Sequence, residues 1–338
     1  MDATVVVVPR ERFTSLPVSL RSLFATIPES VQVIVVEGAS PNAVRGELEA
    51  LKSERDFTLV SEDRMLLPNE ARNIGGRLVD TKYIIFADND IEYSDHWLEP
   101  LVAQAEAEGS DTVAPLTLIG PSKEPRIHHA GGRIITYEKK GEIQINEIHR
   151  LSNVYVKDAD FPKQAPMKNE VCEFHCMLIK REFFDAMGGF DERYITREHI
   201  DLALRLRAIG GKSTFCVDSV VSYQAMAPFT FVDLRYLAYR WNDKLAESGL
   251  RAFSKMWETG ADGKPLRRKP IRRRRWRAIM SWVGLHGKGA LTKRAANLIC
   301  PMIEFYFTMR DGYGANRKNV FAPKKIDNPV LTLLDKAA

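Results

Sequence analysis

The segment FADNDIEY at residues 86–93 places two carboxylates, Asp88 and Asp90, one residue apart directly after the apolar run YIIF. Carboxylates so spaced, with Asn89 between them, can grip a hard divalent cation and leave other positions for water and phosphate oxygens. The same residues also suit a strand-end turn, because Asp and Asn side chains bond to the local backbone. Context favours a site: in open α/β sheets, ligands bind beyond the carboxyl ends of the strands, and these aspartates stand at such an end. Cys172, Cys176, Cys216 and Cys300 form no CxxC pair, so neither a zinc site nor a disulfide framework is expected.

The elements that must position this pair are legible around it. Short apolar runs alternate with amphipathic stretches, the pattern of strands and crossover helices in a largely parallel sheet. Strands are predicted at 4–8, 31–36, 57–60 and 83–86, and helices at 16–24, 42–52 and 69–78, the last opened by Pro68. Asp95 is expected to cap a helix over 96–108, with a strand at 111–118 after it. Residues 121–167 read as loops and edge strands. A strand at 171–180 then leads to a short helix ended by Gly188-Gly189. Thr196 is the expected cap of a further helix whose first turn carries Glu198 and His199, and whose Asp201 and Arg205 are spaced to pair.

With 338 residues, 45% of them hydrophobic and 28% charged, the chain can bury a sizeable core. It has no apolar run of about eighteen residues that would span a bilayer, and its N-terminus lacks the layout of a signal peptide. A cytoplasmic protein with reduced thiols is expected. The net charge of +5 is uneven: residues 264–294 hold many Lys and Arg and no Asp or Glu, with RRRR at 272–275 followed by Trp276. That shift divides the chain into a catalytic α/β domain, 1–225, and a helical basic region, 226–338. Cations interleaved with Trp276, Ile279, Met280, Trp282 and Val283 suggest peripheral contact of 264–294 with the anionic inner face of a membrane. A partner surface is an alternative, and nucleic acid is not the expected partner. The aromatic stretch at 229–245 reads as a packing helix, with Trp241 able to stack on a ligand ring.

Seven stretches, in order, resemble the family 2 glycosyltransferases: TVVVVP (4–9), VIVVEGAS (33–40), ARNIGG (71–76), YIIFADND (83–90), HAGG (129–132), CMLIKREFFDAMGGFDE (176–192) and EHIDLALRLRAIGG (198–211). The resemblance implies the GT-A fold, a Rossmann-like α/β fold with a mostly parallel central sheet. It also implies inverting transfer from a UDP- or GDP-sugar, with Mg²⁺ or Mn²⁺, to a glycan or lipid-linked hydroxyl. Carried over by position, it sets Pro9 beside the nucleotide, Glu37 on the nucleobase, and Arg72 and Asn73 along base and phosphates. Asp88 and Asn89 then face the ribose or metal shell, and Asp90 binds the metal. Glu198-His199 stands where the family has Glu-Asp, the Asp being the general base, and Tyr223 stands where a metal-binding His is common.

A neutral imidazole suits general-base work, and the first turn of a helix disfavours imidazolium. His199 is therefore the expected base, Glu198 its competitor, and helix capping by both the noncatalytic reading. His128 and His129 are placed near the acceptor by the resemblance alone. Two other functions remain open at this point. A nucleotidyltransferase would share the plan, but PRERFTSLP at 9–17 lacks the glycines of its phosphate loop. A noncatalytic scaffold is compatible with the missing base aspartate.

Overall fold

The computed structural model describes residues 1–311 apart from 121, 140, 162–168, 225–228, 260–267 and 286–288. The apolar runs of the first ninety residues become strands β1 (Ala3–Val8), β2 (Gln32–Gly38), β3 (Thr58–Glu62) and β4 (Tyr83–Asp88), joined by helices α1 (Leu16–Thr26), α2 (Asn42–Glu54) and α3 (Pro68–Gly76). All six residues of both β1 and β4 are buried, as parallel strands covered on two faces must be. After β4 come β5 (Ile91–Tyr93), α4 (Leu98–Glu108), β6 (Thr112–Ile119), β7 (Arg126–His129), and a separate hairpin of β8 (Gly132–Lys139) and β9 (Glu142–His149). The described chain continues with β10 (Cys176–Lys180), α5 (Arg181–Met187), α6 (Glu198–Ala208) and β11 (Ser213–Tyr223).

The main sheet runs β3-β2-β1-β4-β10-β6-β11-β5, with β7 also on β6. β3, β2, β1 and β4 are parallel, and β10 is antiparallel to both β4 and β6. That reversal matters for the site. It sets the start of β10, Cys176, opposite Ala87 at the end of β4, so the residues just before β10 arrive beside the aspartates.

Three local expectations change. The strand expected from 171 begins only at Cys176, because the chain turns at 174–175 just before it. The helix assigned to Asp95 begins at Leu98, since His96 adopts a left-handed φ of 56°. Thr196 does not cap α6; Arg197 holds that position, with φ 65°.

Helices α7 (Phe231–Arg240), α8 (Asp243–Trp257), α9 (Arg268–Trp282) and α10 (Ala290–Asp311) follow. Tyr236, Leu237, Ile271, Ile279 and Phe307 from three of them share one core with Leu16 and Leu20 of α1. Asp233 pins α7 to the β1 loop by accepting from Phe13 N–H (2.8 Å), Thr14 N–H (3.0 Å) and Thr14 Oγ1 (2.7 Å). Trp241 is buried and donates Nε1–H to Glu11 (3.2 Å), so it packs and is not offered to a sugar. Nor does α9 present the apolar face expected of it: Ile279 and Met280 are buried, and Arg275 is buried between Asp243 (2.8 Å) and Glu304 (2.7 Å). Among the described residues no helix is long and apolar enough to cross a membrane.

Candidate active site

Beyond the carboxyl end of β4 the chain turns through Asn89 and Asp90 before β5. Asn89, between the two aspartates, is tightly held. It is buried, its N–H donates to Val8 O (3.0 Å), its Oδ1 accepts from Arg10 N–H (3.0 Å) and its Nδ2 donates to Arg12 O (2.5 Å). The loop after β1 is thereby fastened over the turn, and its two guanidiniums meet the carboxylates. Arg10 Nε lies 3.0 Å from Asp88 Oδ2, and Arg12 Nη1 lies 3.4 Å from Asp90 Oδ2. From the other side Arg72, wholly buried on α3, donates to Asp88 Oδ1 at 2.6 Å.

The third arrival is His175, whose Nδ1 lies 3.2 Å from Asp88 Oδ2. One ligand atom each from Asp88, Asp90 and His175 falls within 4.8 Å of the others, and all three residues are buried. Asp88 Oδ2 and His175 Nδ1 face each other at 3.2 Å and Asp88 Oδ2 is ion-paired with Arg10, but Asp90 Oδ1 is buried with no hydrogen bond among the described residues, a costly arrangement that a bound cation would relieve. Two carboxylates and an imidazole are a fitting donor set for Mn²⁺ or Mg²⁺.

The electrostatics agree. Burial raises the Asp88 pKa, but the Arg10 and Arg72 charges outweigh it and hold the carboxyl down at about 2. Burial, and then repulsion from Asp88, push Asp90 up to about 7. Two adjacent buried carboxylates cannot easily both be charged unless a cation joins them. The ring of His175 stacks on Tyr223, with centroids 4.1 Å apart, and His128 meets it edge-on at 4.9 Å. Tyr223 occupies the position of the expected third ligand, so the imidazole beside it comes from a different strand.

Further along the same edge lies a tier of His and Glu side chains. Glu147 on β9 bonds directly to His199 Nε2 and lies 3.4 Å from His149 Nε2. His149 in turn lies 3.9 Å from Glu173 and 3.4 Å from His129. Burial alone would lower the His199 pKa, but Glu173 and Glu147 raise it to about 9. The expected neutral imidazole is thus an imidazolium at pH 7, because the carboxylates that face it outweigh burial. Burial brings His128 down to about 3 and His129 to about 4, so both stay neutral. Glu198 points elsewhere: its Oε1 is 3.9 Å from Arg240, while its buried Oε2 has no hydrogen-bond partner among the described residues. Arg240 also donates to Arg10 O (3.1 Å), which ties Glu198 to the β1 loop.

The remaining expected residues are spread along this edge. Pro9 ends β1 and accepts from Tyr236 OH (3.3 Å). Glu37, buried at the end of β2, accepts from Ser40 N–H (3.0 Å) and pairs with Arg45 (3.4 Å). Asn73 spends its amide on the Phe190 backbone, donating to O and accepting from N–H, both at 2.8 Å. It holds the turn after Gly189, where an added Cβ would come within 2.7 Å of Asn73 Oδ1. Arg72 bridges no surface carboxylate; it supports Asp88.

The sequence profile of the family described as glycosyl transferase family 2 matches residues 4–188, more than half of the chain. The chain belongs to glycosyl transferase family 2. Polypeptide N-acetylgalactosaminyltransferase 8 of Drosophila melanogaster is 25% identical over 144 residues, which are 42% of this chain and only 23% of that relative's length. The structure of GalNAc-T7 with UDP, GalNAc and Mn²⁺ superposes with a TM-score of 0.50 at 18% identity, over 86% of this chain and 59% of that one. Mannosyltransferase PcManGT from Pyrobaculum calidifontis, in complex with GDP-Man and Mn²⁺, gives 0.50 at 14% identity, over 92% and 84%. These likenesses show that the fold is GT-A.

In this family 2 chain Arg10, Arg12, His175 and Arg240 are candidate-site residues, and no local sequence pattern marks the three arginines. His175 alone carries a signal, as a single histidine in CEFHC immediately ahead of β10.

Proposed function

We propose that this chain transfers a sugar from a UDP- or GDP-sugar to a hydroxyl of a glycan or lipid-linked acceptor, with inversion at the anomeric carbon. The observation that carries the reading is the convergence of three buried ligand residues, Asp88, Asp90 and His175, each offering a donor atom within 4.8 Å of the others at the carboxyl end of the sheet. These residues would hold Mn²⁺ or Mg²⁺, which when bound supplies a Lewis acid to the diphosphate. Arg10, Arg12 and Arg72 keep the carboxylates aimed at one point, and Asn89 keeps the Arg10 loop closed over them. Pro9 and Glu37, at the ends of adjacent strands, line the side where a nucleobase would lie.

Inversion needs a base on the acceptor hydroxyl, opposite the leaving diphosphate. We assign it to Glu198, whose free Oε2 can take the proton. His199, already charged and bonded to Glu147, has no lone pair to offer and instead fixes the β8–β9 hairpin to α6.

The test is release of nucleoside diphosphate from a panel of UDP- and GDP-sugars with Mn²⁺. Release is expected to fall to background with EDTA or in Asp90→Asn. Glu198→Gln is expected to lower kcat by about 100-fold or more, the usual worth of a positioned base, and His199→Gln much less. Release indifferent to EDTA and to Asp90→Asn would overturn the reading.

A further inference from the structure

Helix α10 carries apolar residues on two faces. One, with Ala296, Cys300 and Phe307, is buried in the body of the protein. The other points outward: Leu291 is 81% exposed, Leu298 69%, Met302 67%, Phe305 66% and Met309 70%. Their successive spacings of seven, four, three and four set all five on a single stripe of the helix. At 1.5 Å rise per residue the stripe is about 27 Å long. Phe231 and Trp282, themselves exposed and 5.3 Å apart between ring centroids, border it through Tyr306, which lies 6.1 Å from Phe231. Single exposed apolar residues are ordinary, but a contiguous row marks a contact surface.

Among the described side chains of α9 and α10 the exposed charge is of one sign. Lys293 and Arg294 lie on α10 itself, and Arg272, Arg273, Arg274 and Arg277 are exposed on α9, which packs against it. Between residues 290 and 310 the single acidic side chain, Glu304, is held by Arg275 at 2.7 Å.

We propose that the outward stripe of α10 lies in the headgroup region of an anionic lipid bilayer, with the α9 arginines against the lipid phosphates. Apolar insertion and attraction to anionic headgroups together hold a helix at an interface. Nucleic acid would engage the arginines but leave the apolar row in water. A second copy of the chain would cover the row but crowd the arginines of both copies.

The experiment is flotation of the full chain with phosphatidylcholine vesicles and with vesicles that also contain phosphatidylglycerol. The chain is expected to float with the anionic vesicles only, and less so at high salt. Leu298→Glu with Phe305→Glu, and separately Arg272→Glu with Arg273→Glu, are each expected to reduce partitioning by about tenfold. All variants should retain the circular dichroism, melting temperature and nucleotide-sugar hydrolysis of the parent. These controls separate loss of membrane contact from loss of fold, and from failure of the proposed transferase reading. Equal flotation of the Leu298/Phe305 variant and the parent would overturn the proposal. So would a parent that does not float but is a dimer in light scattering and becomes a monomer on the same substitution, which assigns the stripe to a second copy.

Discussion

Asp90 must shed a proton before it can ligate a cation, and its pKa of about 7 puts that step in the working range. Apparent Mn²⁺ affinity, measured by titration calorimetry, is expected to rise about tenfold per pH unit below 7 and to level off above it. The same shift has a stability sign. The folded-state pKa lies above the ordinary 3.8, so the metal-free protein holds this contribution in full below pH 3.8 and loses it as pH rises through about 7. Asp88 works in the opposite direction: with its pKa at about 2, its contribution is present above 3.8 and lost as pH falls through about 2. Melting curves of the metal-free protein should therefore shift down between pH 4 and 6.5, below the window in which His199 also contributes, and saturating Mn²⁺ should cancel that part of the shift. His175→Ala is expected to weaken Mn²⁺ by more than the about tenfold that loss of an outer-shell partner costs.

Helix α6 is held by charge as well as by its apolar face. Asp201 accepts from Arg205 Nε at 2.7 Å and from Trp257 Nε1 on α8 at 2.8 Å, all three being buried. Asp201→Ala leaves a buried guanidinium without its carboxylate and is expected to cost about 3–5 kcal/mol in urea denaturation. The His199–Glu147 pair adds a pH-dependent part. With the His199 pKa raised from 6.5 to about 9, its contribution is complete below 6.5 and lost as pH rises through 9. His199→Gln should flatten that alkaline loss while sparing most turnover.

These elements also show what the sequence could reveal. The strands β1, β2 and β4 were legible because an unbroken apolar run between turn signals has few other uses, and Asp88 and Asp90 because they close such a run. The Asp201–Arg205 pair followed from helical spacing. The cap of α6 did not, because Arg197 enters it from a left-handed conformation that nothing in its residue type announces. His175 was hidden since its approach depends on β10 running antiparallel to β4, a long-range fact. The charge on His199 is invisible in the sequence for a similar reason: Glu147 lies 52 residues away.

Across the whole molecule, the parallel half of the sheet supplies the carboxylates and the reversed strand supplies the imidazole. Helix α7, from beyond the boundary expected near residue 225, closes the β1 loop through Asp233 and Arg240. The region after residue 226 therefore completes the candidate site, and its outermost helix turns an apolar row to the outside. What would unite these parts, in the function we propose, is a cation held by Asp88, Asp90 and His175 against the donor diphosphate. The direct measurement is calorimetric binding of UDP and GDP to the parent and to Asp90→Asn, each with Mn²⁺ and with EDTA. The expected result is nucleotide binding by the parent that requires Mn²⁺ and is lost in Asp90→Asn. Equal binding of nucleotide by both proteins in EDTA would contradict it.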